Sequence, residues 1–460
     1  MATITRPPSL LRWRETVHPL RLVWRWFCFG VVRAFYRRAE VRGQEYFPSS
    51  GPVLLCANHP SALADAVVIQ AASTRVVHPL ARSGLFKNPL VWPVLAIIQA
   101  VPIYRRQDSA DTSRNEDSFA RCFEMLAAGE PLLIFPEGES HSDPRLRELR
   151  TGAARLALGA SARSGAPPLL LPVGLNYTDV GRFRSSVLVK FGRPMTTEAK
   201  PGESPDQTVA RVTAEIRAAL ERITLNPNSW AELEGLRRLE RFFALRSEKY
   251  RRRSLDQRFR ALRKLLEAQQ RLRLTDPERV ERMRSGLDRF ERLCARVGIH
   301  DYHLTIAYTP ALVGRFVARS LAMLLLALPL GAWGAANSFI PFALTKFLAV
   351  RLASDRYQYD TAKILLGMAF FAAFWGGQVS AVWQLGGASW ALAYAAGLLP
   401  TTMIALYMRR ERERILDNIR VFFLFLRRED LRQFLLTQRR ELEQQIRQLV
   451  FLALQRPKAA

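Results

Sequence analysis

His59 and Asp65 lie in the segment Asn58-His59-Pro60-Ser61-Ala62-Leu63-Ala64-Asp65, directly after the apolar run Val53-Leu54-Leu55-Cys56-Ala57. A histidine leaving the end of a buried strand can take a proton from a substrate hydroxyl near neutral pH, and a nearby carboxylate can fix its tautomer. Farther along, Leu132-Leu133-Ile134-Phe135 runs straight into Pro136-Glu137-Gly138-Glu139-Ser140-His141. Each segment alone also has a plain reading: a hydrogen-bonded histidine, and a turn in which Pro fixes one residue and Gly supplies a positive φ. Together they deliver polar groups to two strand ends, where open α/β sheets gather their ligands. Arg105 and Arg106 follow Val101-Pro102-Ile103-Tyr104 at a third strand end. Guanidinium groups there suit a phosphate bidentately, and equally suit a solvated pair. Leu171-Pro172-Val173-Gly174-Leu175 by itself reads as a buried strand.

The elements that must position these residues alternate between short apolar strands and helical stretches from about residue 41 to residue 228. Strands are expected at 53–56, 76–81, 100–104, 132–135, 169–175 and 186–191, with helices at 64–71, 115–128 and 152–164. The expected fold class is α/β, a mostly parallel or mixed sheet flanked by helices, followed by a basic helical region and C-terminal transmembrane helices. Residues 1–40 carry an aromatic-rich stretch, Leu20 to Tyr36, interrupted by Arg21, Arg25 and Arg33. It is too broken to span a bilayer and reads as an interfacial amphipathic helix, or as a helix capping the next domain. Residues 229–310 place Leu233, Leu236, Leu239 and Phe243 at helical spacing among many charges, with a break expected near Thr275-Asp276-Pro277. The run Arg251-Arg252-Arg253 fits a solvated face or contact with lipid headgroups.

Within 311–408, the stretches 320–345, 364–383 and 387–408 lack formal charge and reach the roughly 20 residues needed to cross a bilayer. Arg315 and Arg319 precede the first, Lys346, Arg351, Arg356 and Lys363 follow it, and basic residues from Arg409 to Arg414 follow the third. The positive-inside tendency makes the second and third a hairpin with both ends cytoplasmic, and puts both ends of the first inside as well. Pro329, Gly331, Gly334 and Pro341 are therefore expected to break the first stretch into a re-entrant or interfacial pair. Residues 409–460 read as a basic amphipathic helical tail.

The chain has 460 residues, 68 Lys+Arg against 41 Asp+Glu, and a net charge of +27. Such a surface attracts something anionic. Zinc-finger cysteines and RNA-binding aromatic signatures are missing, and the Arg excess sits beside apolar runs, which argues for lipid and acidic carriers and against nucleic acid. Cys28, Cys56, Cys122 and Cys294 show neither CxxC nor metal-ligand spacing and read as reduced core residues.

Taken in order, Asn58-His59 with Asp65, Val101 to Arg105, Phe135-Pro136-Glu137-Gly138 and Leu171-Pro172-Val173-Gly174 resemble the four blocks of the glycerolipid acyltransferase superfamily, which includes glycerol-3-phosphate and 1-acylglycerol-3-phosphate acyltransferases. The resemblance covers roughly residues 41–228. Two departures stand out: five residues separate His59 from Asp65 where four are usual, and the third block continues Glu139-Ser140-His141 instead of Thr-Arg-Ser. Both are similar to a subgroup that acylates glycerol 3-phosphate or dihydroxyacetone phosphate and carries C-terminal membrane segments. The resemblance implies His59 as general base and Asp65 as its orienter. It implies acceptor-site roles for Arg105, Arg106, Glu137, Gly138, Ser140 and Pro172, and no metal or prosthetic group. The implied donor is an acyl thioester, acyl-CoA or acyl carrier protein. The acceptor is glycerol 3-phosphate, with lysophosphatidate or another lysophospholipid as the alternative. An integral membrane protein with its catalytic domain facing the cytoplasm is expected; a non-enzymatic lipid-binding scaffold is the reading from a different class.

Overall fold

A computed structural model describes residues 2–3, 19–88, 91–105, 112–164, 167–198, 200–244, 253–304, 310–353, 355 and 358–455. Arg106, Arg251 and Arg252 lie outside them. The chain forms two compact units, one of residues 1–230 with 352–364, the other of 231–351 with 365–460.

The first unit is built on a mixed sheet whose described strands are β1 (Ala2–Thr3), β2 (Arg38–Arg42), β3 (Val53–Ala57), β4 (His78–Arg82), β5 (Val101–Ile103), β6 (Leu132–Ile134), β7 (Leu169–Tyr177) and β8 (Ser186–Phe191). Their order is β1-β2-β8-β7-β3-β6-β4-β5. The pairs from β7 through β3, β6 and β4 to β5 are parallel, and β8 joins β7 antiparallel. The described helices are α1 (Pro19–Phe35), α2 (Leu63–Ala72), α3 (Trp92–Ile97), α4 (Asn115–Ala127), α5 (Gly152–Ser164) and α6 (Pro205–Ile223).

Alternation along the strands divides the core in two. Val53, Leu55 and Ala57 of β3 join Leu171, Val173 and Leu175 of β7 in a cluster with Val68 and Ile69 of α2 and Val32 and Phe35 of α1. Leu54 and Cys56 face the other way, onto Cys122 and Leu126 of α4, Leu156 of α5 and Ile216 and Leu220 of α6. Period-two burial on both faces is what a parallel sheet covered by helices requires.

The described N-terminal residues belong to the first unit. Residues 38–42, divided in the sequence reading between the leading helix and the domain, form β2 beside β8. Helix α1 packs into the first unit through Arg25, Cys28, Val32 and Phe35, so it is a capping element of that unit. Leu20, Val23, Trp26 and Phe27 on its other face stay exposed, the amphipathic pattern that an interfacial helix needs.

The second unit holds α7 (Trp230–Ala244), α8 (Leu255–Thr275), α9 (Pro277–Val297), α10 (Asp301–Leu304), α11 (Pro310–Leu352), α12 (Tyr359–Arg427) and α13 (Glu429–Gln455), with the first residues of α7 and α12 and the last residue of α11 belonging to the first unit. The break between α8 and α9 falls at Asp276, whose side chain caps α9 by accepting from Arg279 N–H at 3.2 Å. Among the described residues, one helix, Tyr359–Arg409, is long and apolar enough to cross a membrane. Gly387, at φ 80° and ψ −178°, interrupts it between the two predicted stretches. Tyr394 Oη donates to Gln378 Oε1 at 3.4 Å. An unbroken helix would hold those residues about 24 Å apart along its axis, so the chain reverses at Gly387.

The expected break of the first apolar stretch does not occur. Helix α11 continues through Pro329 and Pro341. The carbonyl that Pro341 leaves without its helical N–H partner is that of Asn337, four residues earlier, and it accepts from Gln378 Nε2 at 3.2 Å, so a neighbouring side chain re-satisfies the freed backbone group. The glycines instead permit close packing: a Cβ on Gly334 would collide with the Thr401 backbone. Ser338 and Thr402 share a hydrogen bond at 2.6 Å nearby, as small and hydroxyl residues do where apolar helices meet.

Candidate active site

Sheet register brings the motifs together. In β3 and β6, Leu54 faces Leu132 and Cys56 faces Ile134; continuing that offset past the strand ends sets His59 opposite Glu137. Accordingly, His59 N–H donates to Glu137 Oε1 at 2.9 Å. On the other side β3 pairs with β7, and the Asn58 amide clamps Leu175, donating to its carbonyl at 3.1 Å and accepting from its N–H at 2.7 Å.

After Ala57 the chain turns sharply, with Ala62 at φ 47° and ψ −132°, and enters α2 at Leu63. Asp65 sits in the first turn of α2, fully buried, where the helix N-terminus favours a negative charge. Its Oδ2 lies 2.9 Å from His59 Nδ1 and accepts from Ser61 N–H at 2.7 Å. Its Oδ1 accepts from Tyr177 Oη at 2.6 Å. A carboxylate can only accept, so Nδ1 of neutral His59 carries the proton and Nε2 holds the lone pair. The ring stacks on Phe135, with centroids 3.8 Å apart and planes 13° from parallel. Its side chain is 17% exposed, enough to meet a substrate.

Burial, and then the adjacent Asp65 charge, push the Tyr177 phenol well above its ordinary range, so it remains a donor. Sequence reasoning missed this residue. Its signal was available in position only, as the polar end of β7 two residues past the one clamped by Asn58.

Glu137 is turned inward. Besides the His59 N–H, it accepts from Arg147 N–H at 2.8 Å and from His141 Nε2. His141 Nδ1 accepts from Asp143 N–H at 3.2 Å, which leaves the proton on Nε2 for Glu137. Glu137 and His141 are both buried. Together they brace the backbone at His59, so the Glu137 carboxylate is engaged by the protein's own N–H groups.

Gly138 is exposed at φ 78°, and its carbonyl accepts from Arg105 Nη1 at 2.9 Å. This contact brings the second block to the third. Ser140 is half-buried immediately before His141. Pro172 lies buried in β7 opposite Cys56, in the sheet and before the strand end. The four cysteines are buried and unpaired, and burial pushes Cys56 and Cys122 up to about 12.

Residues 38–176 match the family model described as Acyltransferase, and this segment is an acyltransferase domain. Its relatives include glycerol-3-phosphate O-acyltransferase 2 of Saccharomyces cerevisiae, 31% identical over 29% of this chain and 19% of that protein. The chloroplastic 1-acyl-sn-glycerol-3-phosphate acyltransferase BAT2 of Brassica napus is 28% identical over 32% of this chain and 39% of that protein. A solved structure, the 1-acyl-sn-glycerophosphate acyltransferase of Thermotoga maritima, aligns with 44% of this chain and 80% of its own at 20% identity and a TM-score of 0.34. The matches thus span well under half the length of these curated relatives.

Proposed function

We propose that the protein transfers a fatty acyl group from an acyl thioester to the hydroxyl of glycerol 3-phosphate. The observation that carries this reading is the His59–Asp65 pair, with Nδ1 held at 2.9 Å by a buried carboxylate inside an acyltransferase domain. His59 Nε2 takes the proton of the attacking hydroxyl as its oxygen bonds to the thioester carbonyl. The tetrahedral oxyanion then collapses, the carbon–sulfur bond breaks, and the departing thiolate takes the proton back from the imidazolium that Asp65 has stabilised. No covalent acyl-enzyme intermediate is required. Arg105, at the Gly138 turn, provides a cation for the acceptor phosphate, with Arg106, the next residue in sequence, as a second candidate cation. Gly138 and Ser140 border the acceptor, and Pro172 shapes the floor.

The extra residue between His59 and Asp65 and the yeast relative's name favour glycerol 3-phosphate. The name of the plant relative supports lysophosphatidate as the second reading. The donor is acyl-CoA or acyl carrier protein. The apolar helix supports a membrane-bound enzyme, and the basic residues flanking the apolar stretches favour a catalytic unit facing the cytoplasm.

The deciding experiment is an acceptor panel with radiolabelled acyl-CoA and the full chain in liposomes. Glycerol 3-phosphate is expected to be acylated fastest, and His59→Ala to lose activity by about 10²- to 10⁴-fold, the usual contribution of a general base. Near-normal turnover by a folded His59→Ala protein would sink the mechanism.

A further inference from the structure

Residues 352–364 fold into the first unit although they lie far along the chain from the rest of it. They touch the catalytic loop itself. Asp360, fully buried in the first turn of α12, accepts from Ser61 Oγ at 3.0 Å. Thr361 Oγ1 lies 3.4 Å from both the Ser61 carbonyl, to which it donates, and the Ala64 N–H, from which it accepts. Lys363 Nζ donates to the Gly181 carbonyl, and Ile364 packs against the core cluster that contains Val68 and Ile69 of α2.

Ser61 therefore serves two carboxylates at once. Its N–H goes to Asp65 at 2.7 Å and its O–H to Asp360 at 3.0 Å. Ser61 is itself fully buried and precedes Ala62, whose φ of 47° a non-glycine residue adopts only under constraint. We infer that Asp360, brought from the start of the apolar helix, is a positioning residue for the His59–Asp65 pair, acting through Ser61. This assignment rests on the acyl-transfer reading. Asp360 does not touch substrate; it fixes the loop geometry that lets Asp65 face His59 Nδ1, and Thr361 holds the same loop on its other side.

The test uses the full chain in liposomes, with Asp360→Ala, Asp360→Asn, Ser61→Ala and the Asp360→Ala/Ser61→Ala double variant. Removing the anchor displaces the base by a fraction of an ångström, so kcat is expected to fall about tenfold. KM for donor and acceptor should stay within about twofold, because the loss is of transition-state geometry and not of binding. Asp360→Asn retains an oxygen that can accept the Ser61 hydroxyl and should restore most of kcat. Ser61→Ala should match Asp360→Ala, and the double variant should be no slower than either, since both delete one interaction. Full-speed Asp360→Ala, or losses that multiply in the double variant, would overturn the inference while leaving the acyltransferase reading intact. A wild-type protein inactive on every acceptor would instead overturn both. If Asp360→Ala fails to fold, as judged by its melting transition, Ser61→Ala alone decides: unchanged kcat refutes the link.

Discussion

Tyr177→Phe isolates one hydrogen bond in the network around Asp65. Asp65 is fully buried and accepts from His59 Nδ1 at 2.9 Å, Ser61 N–H at 2.7 Å and Tyr177 Oη at 2.6 Å. The first two share Oδ2, so the phenol is the partner of the other oxygen, Oδ1. The substitution keeps the ring, which lies 5.8 Å from that of Tyr36, and deletes only the donor. A hydrogen bond to a charged, buried acceptor contributes about 1.5–3 kcal/mol. For a unit of this size each kcal/mol shifts the melting temperature by about 2–4 °C, which gives a fall of about 3–12 °C. Activity should respond less than stability. Oδ2 still fixes the imidazole, so the expected loss in kcat is below about tenfold, against the roughly 10²- to 10⁴-fold loss when the base itself fails. Thermal unfolding and initial rates on one purified preparation measure both quantities. An unchanged melting temperature would refute the claim that Tyr177 supports the buried carboxylate. A kcat loss as deep as that of His59→Ala would refute its assignment to a supporting role.

The titration of His303 gives a second prediction. Burial holds its folded pKa down at about 4, below the ordinary 6.5, so between those values the unfolded chain binds a proton that the folded chain does not. The stability this residue contributes is complete above 6.5 and is lost as pH falls toward 4; His303→Leu should flatten that part of the melting-temperature profile relative to wild type. The cysteines give a third: with Cys56, Cys122 and Cys294 pushed up to about 12 by burial, native protein at pH 8 should resist iodoacetamide until it is unfolded. Rapid modification of any of the three, read by mass spectrometry, would contradict the buried placement.

Strands such as 53–57 and 186–191 were legible because both faces of a covered sheet are apolar, leaving continuous hydrophobic runs. β2 was not, because Arg38-Ala39-Glu40-Val41-Arg42 alternates charge with apolar residues, and Glu40 is buried beside Arg38. Helix α6 carries a capping box between Ser204 and Gln207. That signal is local to the sequence, a Ser followed three residues later by Gln after the last strand. Glu137 was found by its motif, but its direction could not be: a turn residue facing a ligand and one facing the chain's own backbone have the same local sequence. Only the register between β3 and β6 shows that it lies against His59.

The lengthened spacing from His59 to Asp65 unites the legible and illegible parts of the site. The sequence displays five intervening residues without saying how a longer loop could return the carboxylate to the imidazole. In the fold, the loop returns through Ala62 at φ 47° and ψ −132°, a backbone state costing about 1–3 kcal/mol and kept only where surrounding contacts over-determine it. Those contacts include three sets: Ser61 N–H on Asp65, the Asn58 clamp on Leu175, and Asp360 with Thr361 from beyond the second unit's first helices. The first two are local or adjacent in the sheet and follow from register. The third joins residues about 300 positions apart, a separation at which no periodicity or motif spacing carries information. A loop that needs a distant anchor can be recognised in sequence by its length, while the anchor itself becomes visible only once the chain has folded.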